Sequence, residues 1–101
     1  MGNHFNNLSP AEQEWVSLLL EEAGEVIQIC GKILRHGFDS CNPDDPERKT
    51  NRQLLEKEIG HFDFAKLLMC GEEDLIIHHI EESALIKKLK VGKWLHHQDL
   101  D

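Results

Sequence analysis

Four ionisable side chains lie at helical spacing among apolar residues, where a solvent-exposed charge is not expected. In one segment, intervals of four, three and four residues separate Leu18, Glu22, Glu25 and Ile29. In a second segment, the same intervals separate Leu54, Glu58, His61 and Ala65. Residues at these intervals share one face of an α-helix. Both pairs of ionisable groups are therefore predicted to point into a buried interface.

Carboxylates in such an interface need a compensating partner. Burying an unpaired carboxylate is costly, and neighbouring carboxylates repel one another. Few basic residues lie on these two faces, so a bound cation is the simplest compensation, and oxygen ligands favour Mg²⁺ or Mn²⁺. A single glutamate on a helix is usually a solvated surface residue. The occurrence of two pairs on two apolar faces favours a metal site, which suits phosphate chemistry because Mg²⁺ commonly binds substrate phosphates.

Three helices are predicted to position these groups. The first begins at the capping box of Ser9 and Glu12, with Pro10 in its first turn, and runs to His36, where Gly37 offers a left-handed stop. Residues 37–49 contain two prolines and many turn-forming residues, which indicates a loop.

The second helix is predicted to follow a cap at Thr50 or Asn51 and to run to about Cys70, with Gly71 as its stop. The third runs from about Glu73 to about Val91. We expect an all-α antiparallel bundle of these three helices, completed by oligomerisation. A short arm (1–8) precedes the helical domain (9–97), and a short tail (98–101) follows it.

Composition limits the classes of function. The 101 residues carry 19 acidic against 11 basic side chains, a net charge of −8, which argues against a nucleic-acid partner. The apolar runs are too short to cross a membrane, and no signal segment opens the chain. Three cysteines without a CxxC pattern favour a reducing, cytoplasmic setting. A chain of this size buries a small core, which favours association with copies of itself.

Two motifs resemble a known family. The segment EEAGE (21–25) reads as EExxE, and LEKEIGH (55–61) follows about thirty residues later. Together with GKILRHG (31–37), Asn51 and KWLHH (93–97), they resemble the MazG-like all-α nucleoside triphosphate pyrophosphohydrolases, in particular the small single-domain members of phages and bacteria. The family pattern is EExxE followed by ExxD, and the resemblance runs from about Ser9 to His97.

The resemblance implies an activity and a set of roles. Family members hydrolyse a nucleoside or deoxynucleoside triphosphate to the monophosphate and pyrophosphate, use Mg²⁺, and assemble as dimers or tetramers. The resemblance implies that Glu22, Glu25 and Glu58 are metal ligands. Glu21 would hold a further ion or position the attacking water.

One position departs from the family pattern, because His61 stands where the family has an aspartate. An imidazole suits Mg²⁺ poorly but is acceptable to Mn²⁺ or Zn²⁺. His61 is therefore interpreted as a ligand for a softer ion, as a change that weakens Mg²⁺ binding, as a change that impairs catalysis, or as an ordinary core histidine.

A triphosphate also needs cationic and apolar contacts. Lys32 is the preferred phosphate contact and Arg35 is the second. Lys90 and Lys93 could close the site from another helix or another subunit. A simpler role for all four residues is to solvate the helix ends and interact with the helix dipole. For the base, the candidates are Trp15 and Asn51, although capping of the second helix is the favoured role of Asn51.

The sequence thus predicts a metal-dependent hydrolase acting on a (deoxy)nucleoside triphosphate. Two alternatives remain. One is a catalytically impaired module that binds nucleotide or another protein, altered at His61. The other is a purely structural role, in which lysines of a neighbouring chain satisfy the inward glutamates.

Overall fold

The computed structural model describes residues 5–98 and is built from helices. Helix α1 spans Pro10–His36, α2 spans Asn51–Gly71, α3 spans Ile77–Lys90, and a short 3₁₀ helix spans Val91–Trp94. Within the described residues there is no strand, only an isolated bridge between Cys41 and Thr50. The prediction of an all-α chain with three main helices is confirmed.

Helix α1 begins and ends as its sequence predicts. The hydroxyl of Ser9 accepts a hydrogen bond from the Glu12 amide at 3.1 Å, and the Glu12 carboxylate accepts one from the Ser9 amide at 2.8 Å. This capping box satisfies amides that have no partner inside the helix. At the other end, Gly37 has φ 89°, a conformation in which a β-carbon is strained, so glycine ends the helix without that cost.

A second capping box starts α2. Thr50 is its N-cap, and its hydroxyl accepts from the Gln53 amide at 3.1 Å while the Gln53 side chain accepts from the Thr50 amide at 2.9 Å. Asn51 is therefore the first residue of the helix and not its cap. Of the two capping residues that the sequence allowed, the structure selects Thr50.

Helix α3 starts four residues later than predicted. Glu73 has φ 66°, so the chain leaves the helical conformation there. The amides of Asp74 and Leu75 then donate back to the Met69 carbonyl at 3.0 and 3.3 Å, which completes the end of α2. Gly71 is the last residue of α2, but the positive φ falls on Glu73, so the acidic run 72–74 belongs to a turn.

Helices α1 and α2 pack antiparallel along their length. The Gly37 end of α1 lies beside the start of α2, where the Asn51 side chain donates to the Gly37 carbonyl at 3.1 Å. At the opposite end, Asp74 follows α2 and lies near Glu12 in the first turn of α1. Burial and the charge of Glu12 raise the pKa of Asp74. The residues of this interface form the small core, in which Ile29, Ala65 and Met69 are buried.

Helix α3 does not complete a closed bundle within one chain. It packs mainly against the 3₁₀ helix that follows it, and none of its residues is buried. The radius of gyration is 17.3 Å, whereas a compact chain of this length has about 13 Å. The described chain is thus a two-helix hairpin with a projecting third helix.

No helix in the described part of the chain is both long enough and apolar enough to span a bilayer. The predicted arm and tail fall partly outside the description, because residues 1–4 and 99–101 are not described.

Candidate metal centre

The two helices of the hairpin bring the four ionisable side chains together. Glu22 and Glu25 from α1 meet Glu58 and His61 from α2, and one ligand atom from each lies within 4.8 Å of the others. Each pair is three residues apart on its helix, so both members project from the same side. The antiparallel packing places the two pairs at the same height.

Two carboxylate oxygens in this cluster are buried without a hydrogen-bond donor. They are the Oε2 atoms of Glu22 and Glu58. Glu58 is only 7% exposed. The Nδ1 atom of His61 lies 3.5 Å from each of these oxygens, beyond the usual length of an N–H···O hydrogen bond. Both oxygens therefore lie near the same imidazole nitrogen, and both lack a hydrogen-bond donor.

The carboxyl groups of Glu25 and Glu58 influence each other's protonation. Contact with Glu58, followed by burial and the charges of Glu58, Glu22 and Glu21, raises the pKa of Glu25. The hydrogen bond from Glu25, together with the charges of Lys57 and His61, lowers the pKa of Glu58. These opposite shifts are those of two carboxyl groups sharing one proton in a site with too much negative charge.

Lys57 partly compensates this charge. Its Nζ lies 3.6 Å from the Oε1 atom of Glu58, and its side chain is 46% exposed. The ammonium group therefore contacts the outer oxygen of Glu58 and leaves the inner oxygen free. Spacing along α2 does not reveal this contact, because adjacent residues on a helix point in different directions.

The donor set fits a divalent cation. Three carboxylates and one imidazole are common ligands of such ions, and the two orphaned buried oxygens are atoms that a cation would satisfy. The structure brings together the four residues whose inward position was predicted from spacing, but it buries them unequally. Glu58 is buried and Glu22 and Glu25 are partly buried, whereas the His61 side chain is 52% exposed at the edge of the cluster, so His61 is not the core histidine that the sequence also allowed.

A pocket of about 400 Å³ lies beside this cluster, between the end of α1, the loop and the start of α2. Its lining includes the predicted phosphate contacts Lys32 and Arg35 and the candidate Asn51. Leu54 also lines it, and Glu58 is the next turn of α2, about 6 Å along the axis. The pocket and the cluster are therefore neighbours.

Asn51 has a defined structural role in this pocket. It is 6% exposed, and its side-chain amide donates to the Gly37 carbonyl. Its backbone amide donates to the Ser40 carbonyl at 2.9 Å. Asn51 thus fastens the loop to both helices, and its side-chain carbonyl remains the atom that a ligand could use.

The loop supplies pocket residues that spacing alone did not identify. These are Ser40, Cys41, Asn42 and Pro43. They reach the pocket because the loop folds back: the Arg52 amide donates to the Phe38 carbonyl at 2.9 Å, and the Arg52 guanidinium lies 4.4 Å from the centre of the Phe38 ring. His36, which the sequence favoured as a helix-end residue, also lines the pocket.

Glu21 lies outside the converging group. It is exposed on α1 and is turned about 100° from Glu22, so its carboxylate is not among the clustered ligand atoms. Its charge still reaches the cluster, since it contributes to the raised pKa of Glu25.

The two candidate base contacts lie on opposite sides of the cluster. Trp15 is half-buried two turns before Glu22, whereas Asn51 packs against Gly37 at the far end of α1. The 22 residues from Trp15 to Gly37 correspond to about 33 Å of helix. One base cannot contact both residues in a single chain, and Asn51 is the one that shares a pocket with Lys32 and Arg35.

The two distal lysines belong to a separate surface. Lys90 and Lys93 line a pocket of about 270 Å³ with Trp94, and the Lys93 ammonium lies 5.4 Å from the centre of the Trp94 ring. Because α3 packs mainly against the 3₁₀ helix that follows it, these lysines are not brought to the acidic cluster of their own chain.

Comparison with protein-family models, with curated proteins and with solved structures finds no match to this chain.

Proposed function

We propose that this protein is a metal-dependent hydrolase that converts a nucleoside or deoxynucleoside triphosphate to the monophosphate and pyrophosphate. The observation that carries the proposal is the convergence of Glu22, Glu25, Glu58 and His61 around two buried carboxylate oxygens that have no donor. The neighbouring cationic pocket supplies the second requirement, a place for a polyanion.

Lys32 and Arg35 bind the phosphate groups in this proposal. Both line the pocket next to the cluster, and neither has a carboxylate partner among the described ion pairs. Lys32 is two turns beyond Glu25, so an extended triphosphate can reach from the pocket to the cluster. Glu22, Glu25, Glu58 and His61 would hold a divalent cation here, which would neutralise phosphate charge and polarise the bond to be cleaved.

The reaction consumes one water molecule and breaks the phosphoanhydride bond between the α and β phosphates, so that pyrophosphate leaves. A carboxylate near the cluster orients the water and accepts its proton. Glu21 is the candidate for this role, because it is solvent-exposed and adjacent in sequence to the ligand Glu22.

A nucleotide-binding module without hydrolysis is the alternative. The observation that favours it is His61, whose imidazole takes the place of a fourth carboxylate at the cluster. If the cation binds too weakly to activate the reaction, the pocket would still retain nucleotide.

A second copy of the chain is proposed to complete the fold as a homodimer or a homotetramer. Apart from the face of α1 that packs on α2, an opposite stripe carries large apolar residues with little cover, namely Leu20 (73% exposed), Ile27 (72%) and Leu34 (88%). Together with Val16, these positions fall within about 40° around the helix. A helix that is fully solvated on that side would not carry such a stripe.

A cytoplasmic location is also part of the proposal. In that reducing compartment the three free cysteines would remain thiols.

Pyrophosphate release from a panel of canonical (d)NTPs tests the function, with Mg²⁺ and separately with Mn²⁺. We expect release with at least one nucleotide, and a loss of about 100-fold or more in Glu22→Gln and in Glu58→Gln. Glu56→Gln is the matched control, because Glu56 is exposed on α2 and lies outside the cluster.

Two results would contradict the proposed hydrolysis. Absence of release with every nucleotide and metal, combined with nucleotide protection against thermal unfolding, would establish the binding module. Release that is equally fast in Glu22→Gln and Glu56→Gln would remove the cluster from the reaction.

A further inference from the structure

His61 distinguishes this cluster from an all-carboxylate magnesium site. Its Nδ1 atom is equidistant, at 3.5 Å, from the Oε2 atoms of Glu22 and Glu58. Glu58 is more than nine-tenths buried, and its Oε2 atom has no other partner. The imidazole nitrogen and the two unsatisfied oxygens therefore surround a common position.

The spacing of these atoms suits direct ligation by the imidazole. Ligands held at 2.0–2.2 Å in tetrahedral geometry are separated from one another by about 3.3–3.6 Å. Neighbouring ligands of an octahedral Mg²⁺ are separated by about 2.9 Å. The 3.5 Å separations in the cluster are therefore short enough for His61 Nδ1 and both oxygens to ligate one ion.

The chemistry of the donors indicates the class of cation. Mg²⁺ is hard and is held mainly by carboxylates, phosphates and water, whereas imidazole is a good ligand for first-row transition ions. Because an imidazole supplies no negative charge, the cluster carries at most three, so a hard ion loses attraction that a fourth carboxylate would give.

We propose that the cluster is a transition-metal centre, with His61 Nδ1 as a direct ligand, and that it selects an ion such as Mn²⁺ over Mg²⁺. The proposal rests on the metal centre of the proposed function but does not depend on hydrolysis. The His61 side chain is 52% exposed, so the ion would keep coordination positions open to water or a ligand.

Metal binding without nucleotide tests this selectivity. The affinities of the purified protein for Mn²⁺ and for Mg²⁺ are measured by electron paramagnetic resonance of free Mn²⁺, with Mg²⁺ as the competitor. We expect Mn²⁺ to bind at least about tenfold more tightly than Mg²⁺. His61→Asp should reduce this ratio by about tenfold, chiefly by strengthening Mg²⁺ binding.

Pulsed electron paramagnetic resonance reports on the ligand directly. Bound Mn²⁺ should show coupling to an imidazole nitrogen in the natural protein, and the coupling should be lost in His61→Asp. His78→Asn is the matched control, because His78 lies on α3 beside Glu81 and away from the cluster. It should retain both the coupling and the affinity ratio.

The outcomes separate the two proposals. Mn²⁺ binding without nitrogen coupling, or an affinity ratio that is the same in His61→Asp, would overturn the role of His61 and leave the metal-dependent hydrolase standing. If the natural protein binds neither ion, the metal centre itself is refuted, and the proposed hydrolysis loses its cation. The nitrogen coupling is measured on the natural protein, so the test does not require the variant to fold.

Discussion

Glu25 on α1 and Glu58 on α2 face each other across the helix interface, and their contact shifts their pKa values in opposite directions. The contact raises the pKa of Glu25 and lowers that of Glu58. The pair therefore holds a proton on Glu25 at a pH where an isolated glutamate has released it. A divalent cation would displace this proton, which links metal binding to pH.

The metal-free protein should lose stability as the pH rises above 4.5, the ordinary pKa of glutamate. In this range the folded chain keeps a proton on Glu25 that the unfolded chain has lost, so the free energy of unfolding falls with rising pH. Below pH 4.5 the lowered pKa of Glu58 has the opposite effect. The stability that its ionised carboxylate contributes to the fold is lost as the pH falls. Urea unfolding between pH 4.5 and neutrality, with and without Mn²⁺, measures the slope. Mn²⁺ should reduce the slope to the part that the raised pKa of Asp74 contributes, and an unchanged slope in Glu25→Gln would refute the assignment.

Glu22→Gln should stabilise the metal-free protein by about 1 kcal/mol, because a neutral amide replaces a carboxylate whose Oε2 is buried without a donor. The same substitution should abolish the rise in melting temperature that Mn²⁺ gives to the natural protein. Thermal unfolding with and without Mn²⁺ measures both effects, with Glu56→Gln as the control that changes neither. A destabilised variant that still responds to Mn²⁺ would mean that the carboxylate serves the fold and not a cation.

Lys32→Ala and Arg35→Ala should each weaken the binding of a non-hydrolysable (d)NTP by about tenfold, because each removes a cation from the pocket beside the cluster. Calorimetric titration with an α,β-imido analogue measures the change. Lys88→Ala removes an exposed lysine of α3 and provides the control. Equal affinities in all three variants would place the nucleotide elsewhere.

Asn51→Ala should lower the free energy of unfolding by about 1–3 kcal/mol, since it leaves the Gly37 carbonyl without its donor and loosens the loop. Urea unfolding measures this loss. If Asn51 also contacts the base through its side-chain carbonyl, the affinities of the variant for different bases should fall unequally. A uniform fall would indicate that Asn51 acts through the loop alone.

Leu20→Glu and Leu34→Glu should convert an oligomer to a monomer, because a buried glutamate in the outer stripe of α1 would lack a partner. Light scattering coupled to size-exclusion chromatography measures the mass. Gln28→Glu adds the same charge to an exposed position of α1 without removing an apolar side chain, and should leave the mass unchanged. A natural protein that is monomeric at all concentrations would contradict the proposed association.

Local signals in the sequence were sufficient for the limits of α1 and for the helix faces that carry the four cluster residues, although His61 is half exposed and not buried. The capping box of Ser9 and Glu12 is a contact within one turn, and the intervals that align Glu22 with Glu25 follow from helix geometry alone. The start of α3 was predicted wrongly, because the hydrogen bonds that Asp74 and Leu75 make to Met69 depend on the left-handed conformation of Glu73. Composition does not reveal that conformation.

The sequence by itself determined which groups face inward, since helical periodicity assigns a face to each residue before any packing occurs. Only the tertiary structure decided that the two pairs meet at one height, with His61 Nδ1 at 3.5 Å from both orphaned oxygens. It also decided that Asn51 joins Lys32 in a pocket from which Trp15 is remote, and that α3 stands apart. These relationships depend on how the loop closes and on the register between two helices, and both arise from contacts between residues that are distant in the chain.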